Sequence, residues 1–193
     1  MRIFGVILAG GAGRRIGADK ALVALAGKPL IQWVAEGFAP QVEALALSAN
    51  GDPARFAALG LPVLPDARPK GPLSGILAAL TWAAPLGATA VVSVPCDGPF
   101  LPPDLVPRLC RAGQAGTPVL ATSGADLHPT YGLWPIDLIA GLQAFLASDA
   151  VPRVRDFAAA QGATMASFPP GSFTNANTVE DLARLSAQLA RGA

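Results

Sequence analysis

The sequence predicts an α/β protein built around a mostly parallel central sheet, and two features carry that expectation. Short β-branched or apolar runs alternate with Ala/Leu-rich segments of helical period, which is the rhythm of βαβ units. The first run, Ile3–Leu8, contains no polar side chain, as a strand buried on both faces in the middle of a parallel sheet would require. In such sheets ligands gather beyond the carboxyl ends of the strands, so the residues that follow each strand are the ones to search for function.

After Ile3–Leu8, a helix is expected from Pro29 to about Phe38, then strands at Ala44–Ser48 and Leu61–Leu64. Gly71-Pro72 leads into a helix over Leu73–Ala83, and Ala88–Val94 is a strongly apolar strand that ends at Pro95-Cys96-Asp97. The second half predicts helices at Pro103–Ala112, Ile136–Ala147, Val151–Ala160 and Val179–Arg191, the last with Thr178 as N-cap. Between them, Val119–Thr122, Pro129–Trp134 and Ala163–Phe168 read as extended. The 19 prolines and 21 glycines sit mainly at these junctions and mark no linker or repeat, so residues 1–193 are expected to form a single domain.

Hydrophobic residues make up 52% of the chain and charged residues only 14%, which provides a core and excludes a disordered tail. The formal net charge of +1 gives no broad positive field, so a nucleic-acid partner is not expected. The apolar run at the N-terminus is too short for a signal-peptide core, and no stretch approaches the roughly 20 apolar residues that cross a bilayer. A cytoplasmic protein with no membrane partner is the expectation. Cys96 and Cys110 show neither zinc-site spacing nor a disulfide framework; both read as packing residues in a reducing compartment. Trp33, Trp82 and Trp134 read as core or wall.

The most informative segment follows the first strand: Leu8-Ala9-Gly10-Gly11-Ala12-Gly13-Arg14-Arg15-Ile16-Gly17-Ala18-Asp19-Lys20. Glycines let backbone N–H groups approach phosphate oxygens, and Arg14, Arg15 and Lys20 add the charge that a nucleoside triphosphate would balance. The glycine spacing is not that of a dinucleotide-binding fingerprint. Nor is it a P-loop, since Lys20 follows Asp19 and the Gly27-Lys28 pair is followed by Pro29. Asn50, Asp66 and Asp97 fall at later strand ends, on the same sheet edge as this loop. Singly, an Asp after a strand can cap a turn; as a set they suit Mg²⁺-assisted phosphate chemistry, with Asp97 the best metal candidate.

At these motifs, from Ile7 to about Leu185, the chain resembles the molybdenum cofactor guanylyltransferases. The resemblance rests on Leu-Ala-Gly-Gly with Arg-Arg-Ile-Gly and Asp19-Lys20, on Gly27-Lys28-Pro29-Leu30, and on Pro65-Asp66 followed by Gly71-Pro72-Leu73-Ser74-Gly75-Ile76. It continues through Pro95-Cys96-Asp97 with Pro99-Phe100-Leu101-Pro102, His128-Pro129 with Gly132-Leu133-Trp134, and Phe173-Thr174-Asn175-Ala176-Asn177-Thr178. The early motifs are common to many nucleotidyltransferases, whereas the His-Pro and Asn-x-Asn-Thr segments narrow the choice.

The resemblance implies a three-layer Rossmann-like nucleotidyltransferase fold, GTP and molybdopterin cofactor as substrates, and Mg²⁺ as cofactor. It also implies transient contact with cofactor-insertion proteins or molybdoenzymes. Carried over by motif, Leu8, Ala9, Gly10, Gly11 and Lys20 hold the nucleotide, Asp66 helps to bind it, and Asp97 ligates Mg²⁺. The family's Asn-Ala-Asn after the second strand reads Ser48-Ala49-Asn50 here, which leaves Asn50 for the nucleotide and a hydroxyl in place of the first amide. The loop before Asp19-Lys20 is slightly shorter than is common in the family, and Val179 replaces a proline.

Attack of a pterin phosphate on the α-phosphorus needs alignment and positive charge, from Lys20, Arg14 or Arg15 and Mg²⁺ on Asp97. A phosphate monoester is already ionised near neutral pH, so no general base is required of His128. That residue suits either pterin binding or a structural hydrogen bond. Asn175 and Asn177 would face one way in an extended segment and could read the donor and acceptor edge of a pterin. The rivals are a cytidylyltransferase acting on the same cofactor, whose first motif carries alanine where this chain has Gly10, a sugar-1-phosphate nucleotidyltransferase, and a nucleotide-binding module without catalysis.

Overall fold

A computed structural model describes residues 1–10, 19–66, 70–149 and 151–192. In chain order its first half contains β1 (Ile3–Leu8), β2 (Ala24–Leu25), β3 (Lys28–Pro29), α1 (Leu30–Phe38), β4 (Ala44–Ser48), β5 (Val63–Leu64), α2 (Pro72–Ala83) and β6 (Ala90–Pro95). The second half adds α3 (Leu105–Ala112), β7 (Val119–Ser123), β8 (Asp126–Pro135), α4 (Ile139–Ala147), α5 (Val154–Ala160), β9 (Thr164–Phe168) and α6 (Val179–Gly192).

As its composition demands, β1 lies inside the sheet, parallel to β4 on one side and β6 on the other. The seven-stranded order is β5-β4-β1-β6-β8-β7-β9, and only β8 runs against the rest. On one face, α1 and α3 cover Ile7, Leu47, Val92 and Val94; on the other, α2, α4 and α5 cover Phe4, Val6, Val91 and Trp134. This is a three-layer, Rossmann-like α/β arrangement. A third, smaller core forms where Leu182, Leu185 and Leu189 of α6 meet Leu25, Leu30, Trp33 and Phe100. Among the described residues no helix is long and apolar enough to cross a membrane.

The chain passes from β1 to one side of the sheet and returns, after β5 and α2, to add β6 on the other side. The crevice between the carboxyl ends of β1 and β6 is therefore a topological switch point, where α/β sheets bind ligands. Ladder bonds carry the pairing past the strand ends: Ala9 N donates to the Ser48 carbonyl at 2.9 Å and Cys96 N to the Leu8 carbonyl at 3.1 Å.

Several boundaries differ from the sequence reading for identifiable reasons. Pro29 closes a small antiparallel hairpin, β2–β3, and acts as the N-cap of α1, with φ −54° and ψ 141°. The hairpin turns at Ala26 (φ 50°) and Gly27 (φ 79°), the left-handed pair of a type I′ turn, with alanine where asparagine or aspartate would have signalled it. β8 begins at Asp126 and takes in Pro129 at a register irregularity opposite Leu120 and Ala121, where proline's missing donor is tolerated. Trp134 is fully buried and donates from Nε1 to Ser93 Oγ at 2.9 Å, which satisfies its one polar atom.

Gly5 shows how closely the sheet is covered. A Cβ there would lie 2.8 Å from Phe38 Cε1 and 2.9 Å from Leu45 Cδ1. Gly5→Ala should therefore lower unfolding stability by about 1–3 kcal/mol through overpacking. Urea denaturation of the parent and the variant measures it, and an unchanged midpoint would contradict this packing.

Candidate active site

The carboxyl ends of β1, β4, β5 and β6 border a cleft of about 380 Å³. Leu8, Gly10, Lys20, Asn50, Asp66 and Asp97 all line it, so six of the nucleotide-side residues expected from sequence come together. Gly11 and Arg14, with Arg15, lie outside the described residues. Ala9 is buried behind the cleft, where its backbone N–H holds Ser48. Ser48, Gly71, Pro72 and Thr130 add to the lining. A second cleft, of about 530 Å³, lies between α2 and α4 and shares Asp66, but its wall is chiefly apolar and contains neither Lys20 nor Asp97.

Lys20 opens a 3-10 turn capped by Asp19, whose Oδ1 accepts from Ala21 N at 3.3 Å. Its Nζ meets Asp97 Oδ2 at 2.5 Å, with the two side chains only 17% and 16% exposed. That shelter matters, because partial exclusion of water strengthens a pair that would contribute little on an open surface. Asp97 Oδ1 is buried without a partner among the described residues. Leaving a buried carboxylate oxygen unmatched is costly, and a cation there would satisfy it. Mg²⁺ suits this donor, since it needs only one or two protein carboxylates and takes waters and phosphate oxygens for the rest.

Arg55 is a member of the site that the sequence did not reveal. Its Nη1 pairs with Asp19 Oδ2 at 2.5 Å, its Nη2 donates to the Asn50 carbonyl at 2.5 Å, and its guanidinium lies over the Phe56 ring. It thus ties the loop after β4 to the segment that carries Lys20. Nothing local distinguishes it from a solvated arginine on a short helical turn. Asn50 Oδ1 accepts from Asp66 N at 2.8 Å, which fixes these two strand ends to each other.

On the far side of Asp97 the chain returns. Ala176 N donates to the Asp97 carbonyl at 2.8 Å, and Lys20 Nζ donates to Asn177 Oδ1 at 2.5 Å. Tyr131 donates its hydroxyl to Asn175 Oδ1 at 3.3 Å, and burial pushes its phenol pKa up, so it remains a protonated donor. A Cβ on Gly98 would overlap that hydroxyl, so only glycine permits the approach. Cys96 is buried, with its thiol pushed up to about 12 by desolvation and then by Asp97, and is inert packing.

The model of the MobA-like NTP transferase domain matches residues 5–164. A molybdenum cofactor guanylyltransferase of Cereibacter sphaeroides is 55% identical over 195 residues, covering 100% of both chains. The chain belongs to the molybdenum cofactor guanylyltransferases. One from Rhodobacter capsulatus is 49% identical, again over 100% of both chains. Among solved structures, the molybdopterin-guanine dinucleotide biosynthesis protein A of Archaeoglobus fulgidus aligns with TM-score 0.77 at 22% identity, covering 97% of this chain and 99% of that one. A 4-diphosphocytidyl-2C-methyl-D-erythritol synthase from Anaerococcus prevotii gives 0.78 at 14% identity over 98% and 96%, which shows a common fold.

Within this guanylyltransferase, His128 sits apart from the cleft lining, two residues before Thr130 on β8. Its Nε2 is 2.7 Å from Ser123 Oγ, and its ring centroid is 4.6 Å from that of Phe173. Desolvation lowers its pKa, opposed by the Asp126 charge. The folded chain therefore binds this proton less readily than the unfolded chain. The stability contributed by the neutral ring is complete above the unfolded value of about 6.5 and is lost as pH falls through the lower folded value. Urea midpoints measured between about pH 7.5 and pH 5 should fall less steeply for His128→Asn than for the parent. Identical slopes would remove His128 from the acid response.

Proposed function

We propose that this chain transfers GMP from GTP to the terminal phosphate of the molybdenum-molybdopterin cofactor, releasing pyrophosphate and leaving molybdopterin guanine dinucleotide. The observation that carries the reading is the sheltered Lys20–Asp97 pair with its unmatched Asp97 Oδ1, at the β1/β6 switch point of a chain 55% identical to named guanylyltransferases. A cleft of about 380 Å³ falls within the ~300–1,000 Å³ usual for small-ligand sites.

In this reading Gly10, Asn50 and Asp66 border the nucleoside, and the phosphates lie toward Lys20 and Asp97. An ammonium has three N–H donors. Among the described residues two are taken, by Asp97 and Asn177, which leaves the third for a phosphate oxygen. Mg²⁺ held by Asp97 would supply charge that offsets the repulsion between the two anionic substrates and the charge of the departing pyrophosphate. The acceptor's phosphate oxygen forms the new bond to the α-phosphorus while the bond to the pyrophosphate oxygen breaks in line. No proton has to be removed from the acceptor, and the neutral imidazole expected of His128 fits a wall, not a base. Asn175, Asn177 and His128 form the pterin side.

The reading is tested by turnover of GTP with Mg²⁺ and molybdenum-molybdopterin, with the dinucleotide identified by mass. Asp97→Ala should reduce kcat roughly 10²–10³-fold with the fold retained, as loss of a positioned electrostatic group does. Lys70→Ala should stay within about threefold of the parent, because Lys70 Nζ is engaged by the Leu146 carbonyl at 2.7 Å on the α2–α4 side. A loss in Lys70→Ala as large as that in Asp97→Ala would contradict the assignment of the chemistry to the Asp97 cleft.

Gly10 offers a sharper test of the base. A Cβ at this position meets nothing within 4 Å among the described residues, so Gly10→Ala projects its methyl toward the space of the cleft that Gly10 lines. The larger guanine needs that space more than cytosine does. The parent should prefer GTP to CTP, and the variant should shrink the ratio of kcat/KM by roughly 10-fold or more, as one methyl in a pocket can. A parent that used CTP as well as GTP would favour a cytidylyltransferase on the same fold.

A further inference from the structure

We infer that Asn177 is a positioning residue for Lys20: its amide oxygen holds the lysine ammonium to one side of Asp97, so the segment before α6 completes the triphosphate side of the cleft. The inference rests on the functional reading above and assigns Asn177 a task on the nucleotide side.

Lys20 Nζ donates to Asp97 Oδ2 and to Asn177 Oδ1, each at 2.5 Å. A lysine on a flexible four-carbon stem beside a lone carboxylate can settle against either oxygen, or swing between them. Here one oxygen is occupied and the other is buried without a partner. A second acceptor outside the carboxylate draws the ammonium toward Oδ2 and leaves Oδ1 open for a cation. Without it the ammonium would compete with the metal for the same carboxylate.

Asn177 is well placed to do this because its neighbours are fixed on both sides. Ala176 is fully buried among Leu25, Leu30 and Leu185, and its N–H is held by the Asp97 carbonyl. Thr178 caps α6, with Oγ1 accepting from Asp181 N at 3.1 Å. In return Asp181 Oδ2 accepts from Asn177 N at 3.0 Å and from Thr178 N at 3.1 Å, a capping box built on aspartate. The backbone at 177 is thus pinned while the side chain itself is exposed and fills no core. Truncating it removes the contact to Lys20 and leaves no cavity. The Nδ2 group has no partner among the described residues and remains available to the acceptor, so one amide can serve both substrates.

The experiment is a double-mutant cycle read by calorimetric titration of GTP with Mg²⁺ onto the full chain, without pterin cofactor. Asn177→Ala should weaken GTP binding roughly 10- to 100-fold, the range for a hydrogen bond to a charged group. In a Lys20→Ala background the same substitution should change affinity by less than about twofold, since nothing is left to position. Arg108→Ala, whose guanidinium pairs with Asp104 away from the cleft, should leave GTP binding within about twofold of the parent. GTP affinity unchanged in Asn177→Ala, or an equal loss in both backgrounds, would overturn the inference while leaving the guanylyltransferase reading intact. A parent chain that bound no GTP would overturn that reading, and the inference with it.

Discussion

A strand covered by helices on both faces can carry a polar side chain only where a buried partner satisfies it, as Trp134 Nε1 and the Thr130 carbonyl do for Ser93 on β6. β1 obeys this from Ile3 to Ile7, and its neighbour β6 is buried throughout. The consequence is spatial: polar chemistry is displaced to the edge where these strands end. There the backbone of Leu8, Ser48 and Cys96 is still tied into the ladder, so the first residues beyond it inherit the rigidity of the sheet. Lys20, Asn50, Asp66 and Asp97 share a cleft because the strands before them, or the loop leaving β1, have nowhere else to deliver a charge.

Rigidity of the strand ends is not enough to hold a lysine against a partly buried carboxylate. The contacts that do so come from distant parts of the chain: Lys20 and Asp97 are separated by 77 positions, and Lys20 and Asn177 by 157. Arg55 adds a clamp from behind, through Asp19 and the Asn50 carbonyl. A charged pair sheltered from solvent is favourable only when its remaining donors and acceptors are matched. Among the described residues Lys20 has two of its three matched, and Asp97 one of its two oxygens. The deficit among the described residues is one donor and one acceptor at the same spot.

What could be read from the sequence follows from which signals are local. β1, α2 and β6 were legible because an unbroken apolar run or a helical period depends on neighbouring residues alone, and the strand-end rule then pointed to Asp97 and Lys20. The β2–β3 hairpin was not, since Ala26 occupies a left-handed position without the residue types that announce one. Arg55 was invisible because its role depends on the meeting of two loops. The direction of β8 was equally hidden: apolar composition shows that a strand is buried, not which way it runs. For Asn177 the sequence argued from spacing to a shared direction with Asn175, and the structure adds that its neighbour in space is Lys20.

Beside the cleft the chain is built from different material. Phe168, Tyr131, Phe173 and His128 form a continuous aromatic cluster, with Tyr131 and Phe173 centroids 4.4 Å apart and Phe168 and Phe173 5.0 Å apart. Close-packed rings resist small adjustments, so their position fixes Asn175 through the Tyr131 hydroxyl and fixes the Asp97-Gly98 turn through the same atom. Solved chains at 22% and 14% identity keep the overall fold while bearing the names of enzymes with different products. The fold therefore does not choose the acceptor. In this chain the segment from β8 onward meets the cleft through Asp97 and Lys20, so the placement of Asn175 and Asn177 and that of the Lys20–Asp97 pair are mechanically one problem.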